Sequence, residues 1–232
     1  MKVAVFSLDD FPLGKKSFSD DRLEELQEIF KSKKITSLQI EFISIDHIKD
    51  AEVVVTSQDK KVDLILSDLE YVQDRLTKEI PPQEKELFEK SKSLLEQEKF
   101  LSSELNNEEL KILKGFPVIS CFPVYLLDNI EDIDDDDILK EIYFLSGRIY
   151  FFTGGEREVR MWSIHKGETA WEAASCIHSD IQQGFIRAEV VSVDEIIEAG
   201  HYNQVKNEGK IRLENKDYVV QDSDFILFRS NK

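Results

Sequence analysis

Apolar positions recur with two different periods along the chain, and the change of period divides it. Val3 to Leu8 is a continuous apolar run of the kind that becomes a buried strand, and Ile40 to Asp46 and Glu52 to Val55 repeat it. Between the first two runs, Leu23, Leu26 and Phe30 fall on one side of a helix expected over about residues 20–33. At Val62 the pattern changes: Val62, Ile65, Leu69, Val72 and Leu76 alternate three and four apart, as along a helical seam. Pro81-Pro82 stop that run, after which Leu87, Leu94 and Leu101 recur every seven residues. The two runs predict an antiparallel helical hairpin over about 62–101. Phe116 to Leu127 predicts a further buried strand, so the first part reads as a reduced parallel α/β sheet carrying a helical hairpin.

From Tyr150 the pattern is that of short strands. Tyr150 to Thr153 and Glu158 to Ile164 flank the turn signal Gly154-Gly155 and predict a hairpin. In the second strand Arg160 shares its parity with Trp162 and Ile164, which places it at the edge of a core. Thr169 and Glu172 form a capping box that starts a helix with Ala170, Ala173, Ala174 and Ile177 on its apolar face. After Gly184, Ile186, Ala188 and Val190 share one face of a strand while Arg187 and Glu189 share the other. A short helix over 195–199, capped by Asp194, a hairpin of 210–214 with 217–220, and a last strand from Phe225 to Arg229 complete the reading. Hairpin, helix and strand in this order predict a β-grasp module over 147–232. Glu131 to Asp137, six acids in seven residues, predicts an acidic linker over 131–146 between this module and the α/β unit of residues 1–130.

Charge sharpens the division. The chain of 232 residues has a net charge of −17. Residues 147–232 hold 11 basic and 14 acidic residues, a net of −3, which leaves −14 for residues 1–146. So acidic a first part repels phosphate backbones and excludes broad nucleic-acid affinity there. A modest basic docking surface built from Lys166, Arg187, Lys210 and Arg212 is the candidate site of the second part, with scattered solvated charges as the alternative. Cys121 and Cys176 are expected to be buried free thiols of a cytoplasmic protein. No apolar run approaches the ~20 residues of a membrane span. The histidines and cysteines lack a zinc spacing, and no metal site, cofactor or catalytic set is expected.

Several of these stretches carry a family resemblance. Phe151-Phe152-Thr153-Gly154-Gly155, Glu158-Val159-Arg160, Trp162, Ile177-His178-Ser179-Asp180, Gly184 to Val190 and Gly209 to Asp222 resemble the TGS domain that closes the YchF (Obg-like) ATPases. Upstream, Asp68-Leu69-Glu70 resembles the opening of that family's coiled-coil insertion. The family's phosphate loop, GxxxxGK[ST], aligns with Asp9 to Ser17, where Asp9 replaces the first glycine, Gly14-Lys15 remain, and Lys16 stands at the hydroxyl position. Asp9 adds charge beside an anion, and Lys16 is no Mg²⁺ ligand. Ser44 and His47 replace the aspartate and glycine of the next motif. Asn129 stands where the family contacts a purine, and Ser223 where it usually has glycine.

The resemblance implies a TGS-domain protein with a degenerate P-loop, whose nucleotide-site remnants are Gly14, Lys15 and Asn129. The degenerate loop leads to the expectation that the protein is not an enzyme but a regulatory or docking module for the ribosome or RNA. An ATP- or GTP-binding protein with a divergent loop, and a scaffold whose helical hairpin holds a protein partner, are the alternatives.

Overall fold

Two sheets organise the computed structural model, which describes residues 1–231. In chain order the elements are β1 (Lys2–Val5), β2 (Gly14–Phe18), α1 (Arg22–Phe30), β3 (Ile35–Thr36), β4 (Leu38–Ser44), β5 (Val53–Ser57), α2 (Lys61–Leu76), α3 (Pro82–Leu95), α4 (Leu101–Glu104), α5 (Asn107–Leu113), β6 (Val124–Leu127) and α6 (Asp136–Leu145). They continue with β7 (Arg148–Gly154), β8 (Val159–His165), α7 (Ala170–Ile177), α8 (Ser179–Gln183), β9 (Phe185–Ser192), α9 (Val193–Ala199), α10 (Tyr202–Asn207), β10 (Arg212–Glu214) and β11 (Asp224–Ser230). The chain folds as two units, one of Met1–Lys16 with Ile40–Ser146, the other of Ser17–Gln39 with the chain from Gly147 onward.

The first unit holds a sheet of order β2-β4-β1-β5-β6 in which β1 runs parallel to β4 and β5, and β5 parallel to β6. Val3, Ala4 and Val53 to Val55 are fully buried, as the central strands of a parallel sheet covered on both faces must be. The helical seam packs here: Val72, Leu87, Phe88 and Leu95 join one core with Leu69, Leu76 and Leu94 against it. Arg75 pairs with Glu84 at 2.6 Å and Tyr71 lies 6.5 Å from Phe88, so α2 and α3 pair in antiparallel sense. The second helix ends earlier than its leucine repeat because Glu98 turns left-handed at φ 57, and Leu101 is buried from the separate α4.

The strand expected over Phe116 to Leu127 forms only at Val124–Leu127. Asp68, fully buried on α2, takes the backbone N–H groups of Ile119 and Ser120 at 2.7 Å each and holds Ile119–Cys121 in a 3-10 turn. Two donors that a strand would give to a neighbour are thereby spent on a carboxylate. Burial raises the Asp68 carboxyl to about 6 against the effect of those hydrogen bonds. The linker expected over 131–146 is corrected too. Its acids cap and open a helix, with Asp135 accepting from Asp137 N–H at 2.7 Å, and α6 buries Leu139, Ile142 and Tyr143. Negative charge at a helix N-terminus is favourable, so an acid-rich stretch there starts structure.

The second unit is a mixed sheet of order β10-β9-β11-β7-β8-β3. The pairs β7/β8, β9/β11 and β9/β10 are antiparallel; β11/β7 and β3/β8 are parallel. On one face α7, started by the Thr169–Glu172 capping box, buries Ala170 and Ala173 against Phe151, Ile164, Val190 and Ile226. The other face is covered from an unexpected direction, because α1 lies there. Phe30 stacks on Phe225 with centroids 5.1 Å apart, and Leu23 and Leu26 are fully buried. Gly154 makes room for this: a Cβ there would stand 2.9 Å from the Phe225 ring. β3 then adds to the sheet edge, Ile35 opposite Val159 and Thr36 opposite Arg160. The module is therefore larger than the 147–232 expected for it, since residues 17–39 complete it. Smaller differences follow locally. Ser192 caps α9 in place of Asp194, Cys176 is exposed, and Asp217 to Val220 makes an isolated bridge, Val219 to Thr169, instead of a hairpin arm.

Asp20 anchors the added segment. Its carboxylate accepts from Arg22 Nη2 at 2.8 Å and from Tyr150 Oη at 2.7 Å. Burial opposes the Asp20 charge, but the hydrogen bonds from Arg22 and Tyr150 and the guanidinium charge outweigh it and hold the carboxyl down at about 2. The folded value lies below the ordinary carboxylate value of about 3.9, so the stabilisation is complete above that value and is lost as the pH falls through the folded one. Asp20→Asn is expected to cost ~1–3 kcal/mol near neutral pH. In urea denaturation at a series of pH values the gap to the unaltered protein should close between about pH 4 and pH 2. In the first unit, Phe88→Ala should cost ~3–5 kcal/mol in the same assay, because its ring is fully buried in the seam.

Candidate functional site

The nucleotide-site remnants lie along the first sheet. Residues 14–18, aligned with the end of a phosphate loop, run as strand β2 at the sheet edge and not as a loop leading into a helix; α1 begins only at Arg22. Gly14 sits at φ 120 with open space around it, and Lys15 is exposed. Lys16 is tied to Asp134 by an ion pair. Anion sites of the loop-to-helix kind use free N–H groups at a helix N-terminus, and this backbone offers a strand there. Asn129 follows β6, at the other end of the strand order, and the Asp132 carboxylate accepts its backbone N–H at 3.0 Å across the start of the turn over Ile130–Asp134. Ser44 caps the turn that follows it, accepting from Asp46 N–H at 3.3 Å. Gly14 and Lys15 thus stand on one edge strand and Asn129 after the other, and the Lys16–Asp134 ion pair links the two segments. A cavity of about 480 Å³ lies elsewhere in this unit, between residues 45–50 and 114–117 and lined by His47, Lys49, Lys114 and Phe122 among others. Among the described residues, no group of three or more His, Cys, Asp or Glu side chains could hold a metal ion.

The four basic candidates of the second unit divide in two. Arg212 is engaged internally: it donates to Tyr218 Oη at 3.0 Å, lies 3.6 Å from the buried Asp224, and stands over the Tyr218 ring. Lys210 pairs with Glu208 at 3.1 Å. Lys166, on the turn after β8, and Arg187, on β9, are exposed. Their strands are three positions apart in the sheet, roughly 14 Å at the usual spacing. Strand parity sets Arg187 with Glu189, whereas Arg212 is opposite Val190 on the face of α7. The four residues therefore do not form one patch.

Two arrangements escaped the reading of the sequence. One is the cluster of Asp20, Arg22, Tyr150, Asp194 and Ser223, in which Arg22 reaches Ser223 Oγ at 2.7 Å and Asp194 at 3.1 Å. Arg22 and Ser223 alone lie 201 residues apart, and no local signal joins the members. The other is Arg160, whose place at a core edge was legible from parity but whose partner was not. Its guanidinium carbon lies 4.0 Å from the centroid of the Trp162 ring, and Trp162 Nε1 donates to Thr153 Oγ1 at 2.9 Å. His178 accepts Asp180 N–H through Nδ1 at 3.1 Å and caps α8.

Comparison with known proteins separates the two units. Residues 148–231 match the family model YchF-GTPase_C, described as a protein of unknown function (DUF933). The ribosome-binding ATPase YchF of Bacillus subtilis is 47% identical over 103 residues, which cover 44% of this chain and 28% of the relative. Obg-like ATPase 1 of Rattus norvegicus is 48% identical over 82 residues, 35% of this chain and 21% of the relative. The match thus spans less than a third of these relatives' own length. A solved structure of the Schizosaccharomyces pombe YchF GTPase superposes with a TM-score of 0.72 at 16% identity, over 99% of this chain and 97% of that one, a likeness of fold.

These findings correct one expectation. The absence of enzyme character was inferred from the degenerate phosphate loop and the missing switch segment, whereas the relatives are named ATPases and the solved neighbour a GTPase, so these similar proteins are named as enzymes. With that correction, the comparisons lead to one conclusion: residues 148–231 are similar to the C-terminal module of the YchF/Obg-like ATPases, and the chain shares the mixed α/β fold of a YchF GTPase.

Proposed function

We propose that the second unit is a TGS domain of β-grasp type that docks the protein to the ribosome, and that the first unit regulates or positions this docking. The observation that carries the reading is the family match over 148–231 together with relatives named as ribosome-binding. Charge supports the assignment of docking to this unit. The first part of the chain holds most of the net −17, and phosphate-rich surfaces repel it. Lys166 and Arg187 are exposed on the nearly balanced second part and stand as rim contacts. A ribosome partner supports a cytoplasmic location; separately, no helix among the described residues is long and apolar enough to cross a membrane.

A second reading concerns nucleotide. Relatives named as ATPases and a GTPase of the same fold favour nucleotide handling by the first unit, with Gly14, Lys15 and Asn129 as the residues to examine. Calorimetric titration with ATP and GTP, with and without Mg²⁺, decides it. Binding that Lys15→Ala abolishes supports this reading, and the absence of binding removes it.

Docking is tested by co-sedimentation of the full chain with ribosomes. The protein is expected in the pellet at low salt and increasingly in the supernatant as salt rises, with a shallow slope because few phosphates are contacted. Lys166→Glu and Arg187→Glu should each weaken association while changing stability by no more than ~0.5 kcal/mol. A protein that stays in the supernatant at low salt contradicts the proposal.

A further inference from the structure

Arg160 is the cation of the second unit that its surroundings leave chemically unfinished. Among the described residues its side chain makes no hydrogen bond and no ion pair, and its Nε is sealed from solvent without a partner. A guanidinium is ordinarily satisfied through its fork of N–H groups. The acid just before the strand, Glu158, takes its hydrogen bond from Thr36 and pairs with Lys34 at 3.1 Å, and Arg160 reaches it only as a nearby charge. What holds Arg160 is Trp162, whose indole lies 4.0 Å beneath the guanidinium carbon and is itself fixed by Thr153. Backbone pairing on both sides of β8, to β7 and to β3, makes the platform rigid.

The neighbourhood has a matching character. Trp162 is half-buried at the margin of the α7-covered core, as are Phe228 and Phe185. Phe228 lies 6.1 Å from Phe151, the residue opposite Trp162 in the ladder, and 6.1 Å from Phe185. This end of the sheet face therefore carries a stacked guanidinium together with several partly open aromatic rings. Arg157, exposed on the turn before β8, adds a second positive charge. A carboxylate on a peptide would use the fork alone. A single-stranded nucleic acid uses both features: phosphate on the N–H edge, and a base on the outer guanidinium plane or on an aromatic ring.

We propose that Arg160, supported by Trp162, forms a nucleotide subsite for single-stranded RNA on the second unit. The proposal rests on the docking reading above and specifies its chemistry: the ligand is an unpaired RNA segment, held by stacking as well as by charge. Arg160 is the central contact on the α7 face, which Arg187 does not share, since its strand parity sets it on the opposite face.

The test is fluorescence anisotropy of a short labelled single-stranded RNA titrated with the full chain at low salt. Arg160→Ala is expected to weaken binding about tenfold, the scale of losing one stacked base. Arg160→Lys should also weaken it, because an ammonium keeps the charge and loses the plane. Thermal melting followed by circular dichroism establishes that both variants are folded, and Arg160→Lys serves if Arg160→Ala is not. In a Trp171→Phe background the Trp162 emission should change on RNA addition. Unchanged affinity in the folded variants overturns the proposal, and so does a full chain that binds an acidic peptide but no RNA. If ribosomes still pellet the protein while RNA affinity ignores Arg160, the subsite is wrong and the docking reading stands. If the unaltered chain binds neither ribosome nor RNA, both fall.

Discussion

A buried carboxylate near the start of the chain holds the second unit together. Asp20 accepts from Arg22 and from Tyr150, a residue 130 positions away, and by this contact residues 17–39 become part of the C-terminal sheet. Removing either partner would leave a charge or a phenol without its hydrogen bond in a place water reaches poorly, which is why such a pair is costly to break. Phe30 on Phe225 and the insertion of Leu23 and Leu26 add apolar burial to the same docking. Ser223 belongs to this device. It stands where the family resemblance leads one to expect glycine, and its φ of 63 is the left-handed conformation that glycine adopts freely. The serine hydroxyl accepts from Arg22 at 2.7 Å, which offsets the backbone cost with a contact that glycine lacks.

The added segment also shapes the surface available for function. With α1 across one face of the sheet and α7 across the other, the open region is the margin of the α7 face where Trp162, Phe228 and Phe185 are half-buried. β3 pairs with β8 at Thr36 and Arg160, so the strand bearing the stacked guanidinium is an interior strand and not an edge. A ligand-binding side chain on a strand paired on both sides has little freedom to relax, which suits recognition by stacking. A segment that in sequence adjoins the nucleotide-site remnants thus serves, in the fold, to stiffen the C-terminal module.

Much of this was legible in the residues, and the parts that were not have physical reasons. Strands β1, β4 and β5, the α2–α3 seam and the β7–β8–α7 order are encoded in local period, which short-range packing obeys. The Thr169–Glu172 capping box was read and formed as read. The 116–123 segment failed because Asp68, some 51 residues earlier, captured its donors. The acidic run at 131–137 was taken for solvated chain, when part of it opens helix α6. The placement of 17–39 could not be inferred from its own pattern. An amphipathic helix announces that it buries a face, not against which sheet. The same applies to the basic candidates: parity put Arg187 outward, but nothing local showed that Arg212 was committed to Tyr218 and Asp224.

The claim on which the account turns is that residues 17–39 are an integral part of the C-terminal module. It is tested most directly by thermal unfolding of the isolated 147–231 segment, followed by near-ultraviolet circular dichroism, alone and with a synthetic peptide of residues 17–39. The account predicts that the segment alone lacks a cooperative transition, since Phe152 and Phe225 lose their cover, and that the peptide restores one in a saturable manner. A segment that unfolds cooperatively without the peptide, with the midpoint of the full-length protein and no response to peptide, would contradict it.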